Sequence, residues 1–327
     1  MIPMITRRGL LLGALAYLAP PGVCVAGESY PVRPIRFLVG GAPGSVPDTI
    51  SRLIAERLAA ALGQPVVVDD RPGASGIIAM QALISAPADG YTIGLATMSQ
   101  AVFNTYLFSK LSYDPLRDLA PISPLVAGGM VIVANPSFPA DTFGGLIARA
   151  KARPGEILFG TTALGSPPDV VVRFLLHAAD ANVTLVPFKS GPDGVNGVLR
   201  GDVQLFVDAP IIVAAQVRAG KLKALAVTGR GREKELPDVP TVAESGYPAI
   251  LAEPWIGLVA PASTPGEIVE RLNRAVTGIL TEPDLRRRFE RLSFVTVTGS
   301  PAQFRDLIRD EHARWGAVIK AAGLKLD

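Results

Sequence analysis

In this sequence of 327 residues, the residue types that could do chemistry gather in loops that follow short apolar runs. The first loop, Gly40 to Pro47, separates the apolar run Ile35-Arg36-Phe37-Leu38-Val39 from a stretch in which Ile50, Leu53, Ile54, Leu58 and Leu62 recur at spacings of three and four. That spacing places one apolar stripe along a helix, and Gly63 supplies its stop. The loop therefore sits over a helix N-terminus, where unpaired backbone N–H groups and the positive end of the helix dipole favour a small anion. Its glycines do not make a nucleotide fingerprint. Gly41-Ala42-Pro43-Gly44 lacks the third glycine of a dinucleotide loop, and no Gly-Lys-Ser/Thr follows. They are equally compatible with a loop that only turns the chain.

A second loop of the same kind runs from Phe159 to Asp169. Ser166 fits the N-cap, Pro167 the first helical position and Asp169 the third, ahead of a helix through Val170, Phe174 and Leu175. Two such elements suggest opposed helix N-termini closing on one ligand. Between them, Thr97-Met98-Ser99-Gln100 ends the apolar run from Tyr91, at the carboxyl end of a strand, where open α/β sheets bind ligands. Ser99 or Thr97 could equally cap a helix there. Asp48 and Asp208 are candidates for a carboxylate pair, or else an acid in a helix's first turn and a strand-end cap. Hydrogen bonds to a charged group contribute about 1.5–3 kcal/mol each, and micromolar affinity needs about 8 kcal/mol net. A few backbone and hydroxyl donors therefore suffice for a carboxylate without an arginine. Catalytic readings fare worse: His177 and His312 are the only histidines, neither has a second histidine or a cysteine at i+3 or i+4, and no Gly-x-Ser-x-Gly elbow is present.

The elements that must position these loops alternate. Strand-like runs at Val66–Asp69, Tyr91–Thr97, Met130–Val133, Ile157–Phe159, Thr184–Phe188, Val203–Val207 and Leu222–Val227 are separated by helical stretches. This alternation predicts an α/β fold with mainly parallel sheets covered by helices, in two domains. A tail with a run at Trp255–Val259 and helices from Pro265 and Pro301 is expected to return to the first domain. The domain crossings are placed near Leu125 and Glu253, giving 27–125 with 254–327 as one domain and 126–253 as the other. No internal repeat is evident. At the N-terminus, Thr6-Arg7-Arg8, an apolar run from Gly9 to Ala19 and small residues near Val25-Ala26 have the layout of a cleavable signal peptide over residues 1–26. The paired arginines also allow twin-arginine export. The apolar run is too short to span a bilayer, and no later stretch is long and apolar enough to do so. Removing Arg7 and Arg8 leaves 30 of the 32 basic residues against 29 acidic ones, so the net charge falls from +3 to +1. A nearly neutral chain without a basic run gives no support to nucleic-acid binding. Cys24 is the only cysteine, so the exported chain would have neither a disulfide nor thiol chemistry.

Distributed along the chain are Tyr30-Pro31-Val32-Arg33-Pro34-Ile35, Asp70-Arg71-Pro72-Gly73-Ala74, Ala88-Asp89-Gly90-Tyr91-Thr92, Tyr113-Asp114-Pro115, Gly165-Ser166, Val186-Pro187-Phe188-Lys189, Ala219-Gly220-Lys221-Leu222 and Leu236-Pro237-Asp238-Val239-Pro240-Thr241. In this order and spacing they resemble the Bug family, the TctC-like extracytoplasmic solute receptors of tripartite tricarboxylate transport. The resemblance implies a two-domain Venus-flytrap of periplasmic-binding-protein type II architecture, with neither enzymatic activity nor a cofactor or metal. It implies a small organic carboxylate held in the interdomain cleft, and a membrane permease or sensor kinase as partner. An enzyme acting on a small carboxylate is the alternative class. The resemblance puts ligand contacts on Ala42, Gly44, Ser45, Val46 and Asp48, on Thr97 and Ser99, on Thr162, Gly165 and Ser166, and on Asp208. Family loops usually read Pro-Gly-Gly-Gly-Thr-Asp where this chain has Pro43-Gly44-Ser45-Val46-Pro47-Asp48, and the usual histidine of the second loop is Asp169. Val46 and Pro47 are therefore expected to remove a donor and to add apolar surface to the cleft, favouring a monocarboxylate with an apolar body, unless Val46 turns inward to pack on the helix and leaves the pocket unaltered.

Overall fold

The apolar run at 35–39 is a strand covered on both faces, with Ile35, Phe37, Leu38 and Val39 fully buried. The helix Val46–Leu62 behind it buries Ile50, Ile54, Ala55 and Leu58 and ends at Gly63, whose left-handed φ of 69° closes the last turn. The computed structural model describes residues 30–248, 250–321 and 323–326, so the expected signal peptide over 1–26 lies outside the described residues.

In chain order the strands are β1 (Ile35–Val39), β2 (Val66–Asp70), β3 (Thr92–Thr97), β4 (Leu119–Ala127), β5 (Val131–Ala134), β6 (Leu158–Thr161), β7 (Thr184–Pro187), β8 (Leu205–Asp208), β9 (Lys223–Val227), β10 (Trp255–Pro261) and β11 (Val295–Thr296). They form one sheet in the order β11-β4-β10-β3-β1-β2 and a second in the order β7-β6-β8-β5-β9. With their helices, the two sheets make two α/β lobes, and the tail strands β10 and β11 belong to the first.

The sheets are mixed, but most strands of each run in one direction, as expected. β1, β2 and β3 run parallel, as do β6, β7 and β8, but β10 opposes both β3 and β4, β11 opposes β4, and β5 opposes both β8 and β9. The reason is where the chain crosses. β4 ends at Ala127 and β5 starts at Val131; β9 ends at Val227 and β10 starts at Trp255. β5 and β10 each enter their sheet from the end where the parallel strands finish, so each must run against them. Counting strands and helices along the sequence reveals the alternation but not the edge from which a strand enters.

The crossings lie side by side and are tied by one residue. Thr228 donates its amide to Met130 O at 2.9 Å and its hydroxyl to Ala252 O at 2.7 Å, while its hydroxyl and carbonyl oxygens accept from the Met130 and Ala252 amides, each at 2.9 Å. The lobes also share packed side chains. Trp315, on the C-terminal helix Pro301–Ala321, meets Phe103 of the first lobe edge-on at 5.1 Å and Phe174 of the second at 5.0 Å. Among the described residues no helix is long and apolar enough to cross a membrane.

Candidate functional site

Both helix-capping loops have the same residues in the same geometry. Ala42-Pro43-Gly44-Ser45-Val46-Pro47-Asp48 leads through three residues to Arg52, and Ala163-Leu164-Gly165-Ser166-Pro167-Pro168-Asp169 leads through three residues to Arg173. This A-x-G-S-x-P-D-x-x-x-R repeat corrects the expectation of no internal repeat; it is too short to stand out until the two lobes are laid on each other. The amides of Ser45 and Ser166 donate to Ala42 O and Ala163 O, both at 3.0 Å. Gly44 and Gly165 adopt φ of 78° and 73°, a conformation that favours glycine. Their amides donate to Asp48 Oδ2 at 2.7 Å and Asp169 Oδ2 at 3.0 Å. Ser45 and Ser166 are N-caps, accepting from the amides of Asp48 at 3.5 Å and Asp169 at 3.4 Å. Arg52 then pairs with Asp48 at 2.6 Å, and Arg173 with Asp169 at 3.1 Å.

These bonds redistribute the expected roles. Asp48 and Asp169 are 4% and 1% exposed, so they brace the loops from beneath rather than line the cleft. The amide of Gly165 is spent on Asp169, and the Ser166 hydroxyl is shared between its cap bond and Thr162, 2.9 Å away. Prolines at 167 and 168 carry no N–H, so the second helix presents none in its first two positions. The donors that remain flank the bonded glycine and serine in the first loop and precede them in the second. Among the described residues, the amides of Ala42, Val46, Thr162 and Ala163 have no partner. Val46 is half-buried, with part of its side chain packed against the first-lobe core.

The second-lobe loop is tied to the first lobe by two serines outside its counterpart loop. Ser99 donates its hydroxyl to Gly165 O at 2.8 Å, and Ser75 donates to Leu164 O at 3.1 Å. Ser99 opens a π-helical turn, Ser99–Phe103, a distortion frequent at functional sites. Thr97 is buried and donates its amide to Gln100 Oε1 at 2.8 Å, so its polar groups organise this turn. Ser75 escaped the sequence reading. Its place is set by a backbone run with φ of 123°, 46°, 51° and 81° at Gly73, Ala74, Ser75 and Gly76, costly for the two residues that carry a Cβ. Asn104 holds that run by donating to Ser75 O at 3.1 Å, and Tyr113 donates to Gln100 O at 2.7 Å. The signal available for Ser75 was the pair of glycines flanking Ala74-Ser75.

Asp208 ends β8, which runs parallel to β6, so its carboxyl lies at the strand end from which the Thr162–Ser166 loop also springs. The Ala209 amide donates to its Oδ1 at 2.8 Å, and Ala209 itself packs into the first-lobe core. Asp208 does not pair with Asp48, whose carboxylate is held by Gly44 and Arg52. Burial pushes the Asp208 carboxyl up to about 7 against the pull of that one amide. Its native value is above its unfolded one, so the native state keeps a proton that the unfolded chain loses between about pH 4 and pH 7. The contribution of Asp208 to stability is therefore complete at acid pH and lost as the pH rises through 7. Asp208→Asn should raise the melting temperature at pH 8 and change it little at pH 4. Equal effects at both values would refute the assignment.

The sequence profile of the tripartite tricarboxylate transporter family receptors matches residues 50–324. Protein BugT of Bordetella pertussis is 35% identical over 98% of this chain and 99% of its own length. An R. palustris protein solved with adipate superposes with a TM-score of 0.83 at 31% identity, covering 91% of this chain and 100% of its own. MatC from Rhodopseudomonas palustris, solved with bound malate, gives 0.80 at 29% identity, covering 89% of this chain and 100% of its own. Two α/β lobes, a matching capping loop in each and similarity over nearly the whole length lead to one conclusion: the chain belongs to the tripartite tricarboxylate transporter receptor family.

Proposed function

We propose that this protein is a periplasmic receptor that captures a small organic carboxylate between its lobes and presents it to a membrane permease or a sensor kinase. The observation that carries the reading is the matched capping loop in each lobe, with amides that have no partner among the described residues at Ala42 and Val46 or at Thr162 and Ala163, the second loop being bonded to Ser75 and Ser99 of the first lobe. In this reading the first lobe comprises 27–125 with 254–327 and the second 126–253, and cleavage of residues 1–26 releases the chain into the periplasm. The ligands of the two solved relatives are small carboxylates, which supports the class. Its role is binding rather than turnover, so the ligand should be recovered unchanged.

The test is a thermal-shift screen of organic acids on the mature protein, with mass spectrometry of whatever copurifies. A true ligand at 100 times its dissociation constant should stabilise the protein by about 2.7 kcal/mol. Failure of every small carboxylate to shift the melt, with a different chemical class copurifying, would overturn the reading.

A further inference from the structure

Asp208 is out of keeping with a cleft built for anions. It is 8% exposed and has a single hydrogen bond, from the Ala209 amide to Oδ1. Its Oδ2 faces Gly191 so closely that a Cβ on that glycine would stand 2.5 Å from it, with Ile212 also against the site of that Cβ. Gly191 and Pro210 begin the helices Gly191–Arg200 and Pro210–Arg218, so the carboxyl lies where two helices start, beside Ala209, which packs into the first-lobe core.

No cation compensates it. Among the described residues, no lysine, arginine or histidine forms an ion pair with Asp208. On the helix Gly191–Arg200, Asp193 is exposed and accepts from Ser190, and Arg200 pairs with Asp202. On the helix Pro210–Arg218, Arg218 at the far end pairs with Glu235. The strands on either side, β5 and β6, contain no charged residue. In the loop that leads into Gly191, Lys189 is exposed and forms no ion pair with Asp208; in the capping loops, Arg52 is committed to Asp48 and Asp70, and Arg173 to Asp169. A buried carboxylate and a bound carboxylate sharing one enclosed seam repel each other, and such pairs settle by retaining a proton.

Resting on the receptor reading above, we propose that Asp208 is the neutral carboxylic acid in the liganded protein and donates its proton to the bound anion, so that one proton is captured with each ligand. The proton comes from solvent. It bonds to the Asp208 carboxylate and remains there, hydrogen-bonded to the ligand carboxylate, until the lobes release both. Burial in the free protein already moves the group in this direction.

Calorimetry of the mature protein with the carboxylate found in the screen, repeated at one pH in buffers of different ionisation enthalpy, reads proton uptake directly. At pH 8 the expected uptake is close to one proton per ligand. The dissociation constant should be nearly flat below pH 6 and rise about tenfold per unit above pH 7, by linkage. Asp208→Asn should abolish both the uptake and the slope, because the amide donates at every pH. Ligand binding without proton uptake overturns this proposal and leaves the receptor reading intact. So does an Asn variant that keeps the slope, which would put the proton elsewhere. A folded Asn variant that fails to bind at any pH also overturns it, since Asp208 would then act as an ionised acceptor. If the variant does not fold, the uptake measured on the natural protein decides alone. If no carboxylate binds, the receptor reading has already failed on its own test.

Discussion

Asp169→Ala is expected to destabilise the protein by about 3 kcal/mol, the lower end of the range for removing one partner of a buried ion pair. The side chain is 1% exposed. It accepts from the Gly165 amide at 3.0 Å and from Arg173 Nε at 3.1 Å. Alanine leaves a buried amide without its acceptor and frees a guanidinium. The lower end applies because the Arg173 side chain is 27% exposed and can turn toward water. Ser166→Ala in the same loop removes only the cap and should cost about 0.5–2 kcal/mol. Asp169→Asn keeps an acceptor for Gly165 and should fall between them. Urea unfolding at pH 7 separates the three. If Asp169→Ala costs no more than Ser166→Ala, the brace beneath the loop contributes little and the loop is held by its cap alone.

Trp315→Ala should be the most damaging single truncation, with a loss of about 3–5 kcal/mol for an emptied aromatic site. Trp315 is 1% exposed and stands edge-on between Phe103 and Phe174, and edge-to-face pairs contribute about 0.5–1.5 kcal/mol each beyond burial. Phe103 belongs to the π-helical turn that starts at Ser99, and Phe174 to the helix that starts beyond Ser166. The indole thus fastens the second-lobe helix of the site to the first lobe. Its loss should both lower stability and separate the unfolding of the lobes into two transitions, visible as calorimetric and van't Hoff enthalpies that no longer agree. Trp315→Phe should retain part of the stability and the single transition. A loss below about 1 kcal/mol for the alanine variant, smaller than a typical core truncation, would mean the lobes are held together elsewhere.

Much of the site was legible because caps are local. Ser166, Pro167 and Asp169 occupy the cap, first and third positions that their spacing requires, and Gly63 ends its helix as expected. Their bonds join residues three or four apart, so the information lies within one short window. The limit was reached at the next step. A helix N-terminus reads as an anion site because its amides are unpaired, yet here Asp169 takes the Gly165 amide and two prolines remove the amides that would follow. The same acid in the first turn is either a free charge beside a ligand or a brace beneath the loop, and only burial separates these. The duplication of the motif in both lobes was present in the letters. Its meaning shows only in the folded loops, where the same glycine amide bonds to the same aspartate in each.

The sequence by itself determined the alternation of strands and helices, the positions of the capping loops and, through the order of its short motifs, the family. Each of these depends on periodicity, on hydrogen bonds between near neighbours, or on residue order. Tertiary structure alone decided that β5 and β10 run against their sheets, because direction depends on which end of the sheet the chain enters after crossing. It also decided that Ser75 and Ser99 reach carbonyls of the other lobe, that Val46 packs partly against the core, and that Asp208 is left without a cation. Those outcomes are set by groups far apart in the chain whose burial and distance exist only once both lobes have packed, and an aspartate's charge follows its burial rather than its place in the sequence.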